Sequence, residues 1–492
     1  MTAWRLRWGV ALVLAGFIAC TAHAPRRMAL GDSSAEAIST TTARLSDEAS
    51  RFEVAASAAE IYPEFTLAFI EFDDQGRLWS RAQLDLLDRV LASEARRDSY
   101  EGVALIFFAH GWQHDASVCD ANVTCFRTFL AQVASDLATA TAASPGNERP
   151  PRVVGIYAGW RGRSITPPVL RNFSFWARKR AAERIGGGEL VELLTHLDQF
   201  VHKENTGGRL RSGLNIIGHS LGGTMVYEAL SNVLKTRVVE ALGRQTSVSQ
   251  QENIVSGFGD IVLLINPAFE ASLYAPFEDI LARFNAFSPY QSPVLIIVES
   301  ETDTPNRTWF RIGRGFDVLF ERTGPRSSRT LLTTAVGNYE PFVTHHLEIA
   351  AATTADAKTV TTGFGDVSAC SCRLPLTQLS EEELRRVRSF ISRERSGALT
   401  REPSVPESSS CESGLDLGRA RLTCRPNLQP FRPFWVVRAT DDVVRGHSGI
   451  FTGPLLSFVR HEILDARMKK AARLLKPGSL PDASPGSASQ GL

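Results

Sequence analysis

The sequence predicts an α/β protein: a mainly parallel sheet flanked by helices, with a cysteine-containing insertion before the last core strand. Two observations predict it. Continuous apolar runs recur, VALIFFA at 103–109, LNIIG at 214–218, IVLLIN at 261–266 and VLIIVE at 294–299. Strands covered by helices on both faces read this way instead of alternating. Stretches with helical apolar spacing separate these runs, and such alternation calls for right-handed crossovers within one sheet. A composition of 43% apolar and 22% charged residues over 492 positions is ordinary for a globular chain. It suffices for one large domain with an insertion, or for two domains.

The elements follow in order. Residues 25–60, rich in Ser, Ala, Thr and Arg, read as a tether. The core begins at 61, with the strand Phe65–Phe72 and a helix over Arg81–Ser93. The strand Val103–Ala109, the helix Thr124–Ala142 and the short strand Val153–Tyr157 come next. A helix over Lys179–His202 is interrupted by Gly186-Gly187-Gly188, since glycine weakens a helix interior. The strand Leu214–Gly218 leads into a helix from Gly222 to about Leu234. The strands Ile261–Asn266 and Val294–Glu299 then close the first part of the core, 61–303. Residues 304–433 break the alternation and read as the insertion. The strand Phe434–Arg438 and a helix over Leu455–Leu475 complete the core (434–476), and the Pro/Gly/Ser-rich tail 477–492 reads as disordered.

At the N-terminus, Arg5 and Arg7 precede the apolar stretch Trp8–Ala19. It is too short to span a bilayer comfortably and suits the core of a signal peptide, so 1–24 reads as a targeting region. Phe17-Ile18-Ala19-Cys20 resembles a bacterial lipobox, with Phe17 where Leu is usual. That resemblance implies a lipid on Cys20, a membrane partner through it, and a place in the cell envelope. Thr21, in the absence of Asp there, implies that outer-membrane sorting is permitted. Ala22-His23-Ala24 fits the small-x-small pattern of ordinary signal peptidase instead, which implies a soluble secreted protein. Either cleavage sets Cys20 apart, by lipidation or removal, and leaves six other cysteines: Cys119, Cys125, Cys370, Cys372, Cys411 and Cys424. An even number in an exported chain suggests disulfides. Cys119 and Cys125 are spaced for a local loop, and Cys370 and Cys372 for crossing to Cys411 and Cys424. No CxxC pair with histidine partners points to a metal.

With 54 Lys+Arg against 53 Asp+Glu the net charge is +1, which gives no reason to expect nucleic acid as a partner. The local basic stretch Arg161–Arg184 has Phe173, Phe175 and Trp176 interleaved. It reads either as a solvated face or as one that meets anionic headgroups. These aromatics and Trp160 read as lining for an acyl pocket or as core packing.

Gly218-His219-Ser220-Leu221-Gly222 matches G-x-S-x-G between a buried strand and a helix, the context of a nucleophile elbow. Its glycines let strand and helix approach closely. The helix N-terminus behind the serine favours developing negative charge. Upstream, Phe107-Phe108-Ala109-His110-Gly111-Trp112 ends a buried strand in His-Gly-X. Together these motifs resemble the α/β-hydrolase superfamily over about Phe65 to Leu475, and in particular its lipase-like members with a bulky residue after His-Gly.

The resemblance implies a serine hydrolase with Ser220 as nucleophile. The backbone N–H groups of Leu221 and Trp112 would be the oxyanion donors, with His110, Gly111, Gly218 and Gly222 shaping the site. It places the acid just past the VLIIVE strand, at Asp303, with Glu299, Glu301 and Glu270 as rivals. It places the base after the last strand, at His447, with His345, His346 and His461 as rivals. Asp115 and Asp120 read as fixing the oxyanion loop, and Asp441 and Asp442 as shaping the His447 loop or supporting His447. The insertion departs from the usual arrangement, in which a cap follows an earlier strand. Such a triad needs no metal and no cofactor. The expected substrates are carboxylic esters, small or lipid. Acyl transfer or amide cleavage by the same triad, and a non-catalytic envelope binding protein on the same fold, are the alternatives.

Overall fold

The apolar runs pair side by side in the computed structural model, which describes residues 24–29, 56–142, 149–162, 174–206, 212–244, 254–319, 321–322, 324, 328–350, 359–362, 372–375 and 414–474. The strands are β1 (Arg27–Met28), β2 (Ala56–Ser57), β3 (Ala59–Ile61), β4 (Phe65–Glu71), β5 (Val103–Ala109), β6 (Arg152–Gly159), β7 (Gly213–His219), β8 (Ile261–Ile265), β9 (Leu295–Ser300), β10 (His345–Ile349), β11 (Thr359–Thr362), β12 (Cys372–Pro375), β13 (Leu415–Leu417), β14 (Ala420–Cys424) and β15 (Phe434–Ala439). The α-helices are α1 (Arg81–Glu94), α2 (Ala121–Ala142), α3 (Phe175–Gly186), α4 (Leu190–Glu204), α5 (Leu221–Arg244), α6 (Ala271–Leu281), α7 (Phe310–Asp317), α8 (Arg329–Thr333) and α9 (Gly453–Leu474).

One 11-stranded sheet runs in the order β13-β14-β10-β15-β9-β8-β7-β5-β6-β4-β3. From β10 to β4 every neighbouring pair is parallel, and only the outer pairings β3 with β4, β14 with β10 and β13 with β14 are antiparallel. This α/β architecture is compatible with the α/β-hydrolase arrangement. Successive residues of each run feed opposite faces. Leu105, Phe107 and Ala109 join the core beneath α1, α3, α4, α5 and α6. Ala104, Ile106 and Phe108 join the one beneath α2 and α9. Burial on both faces is the reason these strands show no alternation in sequence. None of the described helices is long and apolar enough to cross a membrane.

Several expectations are revised. The helix expected over 179–202 is two helices, α3 and α4, broken at the glycines. A Cβ on Gly186 would lie 2.5 Å from the Met225 carbonyl oxygen on α5, so this glycine also lets two helices touch. Part of the expected tether is fixed to the domain. The backbone N–H of Arg27 donates to Glu71 at 2.8 Å, its guanidinium donates to the Ala116 carbonyl at 2.7 Å, and β3 pairs with β4. The 304–433 stretch is not wholly separate from the core, because β10, β14 and β13 extend the sheet beyond β15.

The local Cys119–Cys125 loop does not form. The fold sets α2 against β12, and Cys125 is joined to Cys372, 247 residues away, with Cα atoms 5.1 Å apart, within disulfide reach. Cys119 and Cys424 are also disulfide-bonded. Cys20, Cys370 and Cys411 lie outside the described residues, as does the 477–492 tail.

Candidate active site

Ser220 occupies the turn between β7 and α5 with φ of 55°. This left-handed conformation costs an L-residue about 1–2 kcal/mol. Backbone hydrogen bonds hold it there. The Ser220 N–H donates to the Ile265 carbonyl at 3.0 Å, and the Ser220 carbonyl accepts from Thr224 at 3.2 Å and Ala268 at 3.3 Å. The motif glycines are required by contact. A Cβ would lie 2.8 Å from the Gly223 Cα if placed on Gly218, and 2.6 Å from the His110 carbonyl oxygen if placed on Gly222. One on Gly111 would lie 2.8 Å from the Ser220 Cβ. The end of β5, the end of β7 and the first turn of α5 therefore meet at van der Waals distance, bringing the His-Gly-X and G-x-S-x-G motifs together.

The structure also brings together the three residues expected to act as nucleophile, base and acid. The Ser220 Oγ lies 2.7 Å from His447 Nε2, and His447 Nδ1 lies 2.6 Å from Asp303 Oδ2. With its proton on Nδ1, the imidazole donates to Asp303 and accepts from the serine hydroxyl. Ser220 and Asp303 are buried, and the His447 side chain, 16% exposed, is the member of the three that reaches solvent. The other Asp303 oxygen accepts from the Asn306 N–H at 2.9 Å, which orients the carboxylate.

His110 braces the turn beside the serine. Its Nδ1–H donates to the Gly111 carbonyl at 2.9 Å, and its Nε2 accepts from the Trp160 N–H at 3.2 Å. This pattern needs a neutral ring, and burial lowers the His110 pKa to about 4. Trp160 is buried, donates from its indole to the His110 carbonyl at 3.0 Å, and stacks on the imidazole. It is packing for the turn. The backbone N–H groups of Trp112 and Leu221 have no acceptor among the described residues. Asp120 accepts from His114 at 3.0 Å and from the Asn122 N–H at 2.8 Å, and Asp115 accepts from the Ser117 N–H at 2.9 Å. Both shape the loop.

The rivals lie elsewhere. Glu299 is buried and accepts from Asn306 at 3.2 Å and Asn338 at 2.6 Å. Burial, with Asp303 close by, pushes its pKa well above the usual carboxylate range. Glu301 is exposed. Glu270 pairs with Lys179 at 3.1 Å and Arg314 at 2.7 Å. His345 is buried against Trp435 on the sheet, and His346 is exposed beside it on β10. His461 lies within the helix α9 and not in the loop that carries His447. Asp441 accepts from the Thr302 hydroxyl and from the Gly446 N–H at 3.1 Å, fixing the His447 loop to the loop that carries Asp303. In the basic stretch, Arg161 and Arg178 both pair with Asp74, so these charges are internal. Residues 163–173, Phe173 among them, lie outside the described residues.

Sequence reasoning missed two positioning residues. Asn266, at φ of 48°, donates from its amide to the Gly446 carbonyl at 3.0 Å and the His447 carbonyl at 2.8 Å, and accepts from the Ser300 N–H at 2.8 Å. It ties the acid loop to the base loop. A polar Asn closing an apolar strand before Pro267 was the available signal. The other is His219, whose Nε2–H donates to the His447 carbonyl at 2.9 Å. Comparison of the chain with protein-family models, with curated proteins and with solved structures gives no match.

Proposed function

We propose that this chain is a serine hydrolase of the α/β-hydrolase type that cleaves carboxylic esters through an acyl-enzyme on Ser220. The hydrogen-bonded series Ser220–His447–Asp303 carries the reading. Ser220 Oγ attacks the ester carbonyl while His447 Nε2 takes its proton. Asp303 keeps the imidazole in the Nδ1–H tautomer and stabilises the imidazolium. The N–H groups of Leu221 and Trp112 receive the oxyanion. Collapse expels the alcohol, which takes the proton from His447. A water, deprotonated by the same imidazole, then releases the acid.

Trp112, Phe175 and Trp176 form a half-buried aromatic row beginning next to Gly111, with centroids 5.5 and 5.3 Å apart. It favours an apolar acyl group over a charged one. The same reading makes Cys20 the lipidated anchor of an envelope enzyme. A fluorophosphonate probe with mass-spectrometric site mapping tests it: label belongs on Ser220 and is absent in Ser220→Ala. Undiminished labelling of that variant removes Ser220 as nucleophile.

A further inference from the structure

We propose that the carboxyl edge of the sheet, which carries Ser220, is the face this protein presents to a phospholipid surface, with the segment from Arg307 to Leu319 as the contact. Its substrate class, esters drawn from the lipid layer, rests on the hydrolase reading above. The orientation does not.

Large apolar side chains stand exposed along this segment. Trp309 is 65% exposed, Ile312 48% and Leu319 52%, and Arg307 and Arg311 are exposed among them. Phe310, between Trp309 and Arg311, is buried instead, so α7 is held on the domain by one side and shows the other to solvent. Tryptophan and isoleucine interleaved with arginine is the composition of a helix face lying in the headgroup layer, with apolar groups entering and cations meeting phosphates. The segment follows β9 and Asp303 directly, so it starts at the carboxyl edge.

The chain enters the domain at the same edge. Arg26 and Arg27 donate their backbone N–H groups to the Glu71 carboxylate at 2.9 and 2.8 Å, and Glu71 ends β4. In the strand order, β7 with its Ser220 turn stands three places from β4 on one side and two from β9 on the other. At about 4.8 Å per strand the nucleophile lies between the point of entry and the exposed segment. From Cys20 to Ala24 the chain reaches about 14 Å at most. A lipid on Cys20, or a retained apolar stretch Trp8–Ala19, would hold this edge against the bilayer.

The aromatic row joins the two features. It continues from Trp176 to Phe310 with centroids 5.8 Å apart. Ring contacts thus run without a break from the exposed segment to the turn that touches Ser220.

Hydrogen–deuterium exchange of the full chain, with and without vesicles of phosphatidylethanolamine and phosphatidylglycerol, tests the orientation. Peptides spanning 305–319 should exchange at least about tenfold more slowly on vesicles, while the opposite-edge loop 95–102 should not change. The double variant Trp309→Ala/Ile312→Ser should lose the protection at 305–319. Membrane-bound protein with unchanged exchange at 305–319, or protection of 95–102 instead, would overturn the proposal. Ser220→Ala should keep the protection, so loss of the hydrolase reading leaves the orientation standing. A chain labelled at Ser220 yet unprotected at 305–319 overturns the orientation alone.

Discussion

His219, the residue before the elbow serine, donates from its Nε2–H to the backbone carbonyl of His447 at 2.9 Å. The strand that supplies Ser220 therefore also grips the loop that supplies the imidazole. Burial and the neighbouring His447 hold the His219 pKa well below its usual value, so the ring is neutral and one nitrogen is committed to this bond. Asn266 donates to the same carbonyl at 2.8 Å. Two side chains thus set the height of the His447 loop over Ser220.

Asn266→Ala should release that loop. A misplacement on the order of 1 Å costs about 10²-fold in turnover, so kcat for a short soluble ester should fall by roughly 10 to 100-fold with KM little changed. Asn266→Ser, which retains a donor at shorter reach, should recover part of the loss. Equal falls in kcat and fluorophosphonate labelling rate would mark a positioning role. Unchanged kcat would remove Asn266 from it.

The carboxylates should separate cleanly. Asp303→Asn offers the imidazole the wrong tautomer and should lower kcat by about 10⁴. Glu299→Gln copies the shape of a carboxyl that already accepts from two asparagines and whose charged form burial disfavours, and should keep turnover within about threefold. Glu270→Gln should keep most turnover as well. Steady-state kinetics of the three variants decide the assignment, and a collapse of activity in Glu299→Gln would transfer the role.

Gly111→Ala tests the meeting of the two motifs. The added methyl would stand 2.8 Å from the Ser220 Cβ, so the His-Gly-X turn or the elbow must move. Turnover should fall by about 10²-fold or more, with far-UV circular dichroism unchanged. Full activity would show that the turn tolerates displacement.

Acid should weaken the fold in a defined window. Burial lowers His110 to about 4 and His345 to about 3, against about 6.5 in an unfolded chain. Because the folded values lie lower, the unfolded state alone takes up protons below pH 6.5. This stability is complete above pH 6.5 and is lost as pH falls towards 4, at up to about 1.4 kcal/mol per pH unit for each ring. Glu462, pushed up to about 8 by burial, acts oppositely and removes stability as pH rises from 4.5 to 8. The slope of Tm against pH between 6.5 and 4 should be shallower in His110→Gln than in the wild-type chain. Identical slopes would mean that folded His110 takes up its proton over the same range as the unfolded chain, against the lowered value.

Much of this was legible along the chain because it is local. A run such as VALIFFA must be covered on both faces wherever it sits, and Gly218 and Gly222 announce a tight strand–helix turn whatever surrounds them. That the core strands run parallel, so that their carboxyl ends share one edge, followed from alternation alone, whereas their order across the sheet did not. Choosing among Asp303, Glu299 and Glu270 was not local. That choice depends on which carboxylate a histidine 144 positions later can reach, and burial decides it by leaving Glu299 among amides. The disulfide followed the same logic: a spacing of six positions suggested Cys119 with Cys125, but packing set β12 against α2 and joined Cys125 to Cys372. The strands β10, β13 and β14 were illegible for a related reason. They are short, with buried residues interspersed among exposed and half-exposed ones, and acquire their meaning only from the sheet edge they extend. Residue periodicity reports what each segment buries, while contacts between distant segments depend on how the buried faces stack.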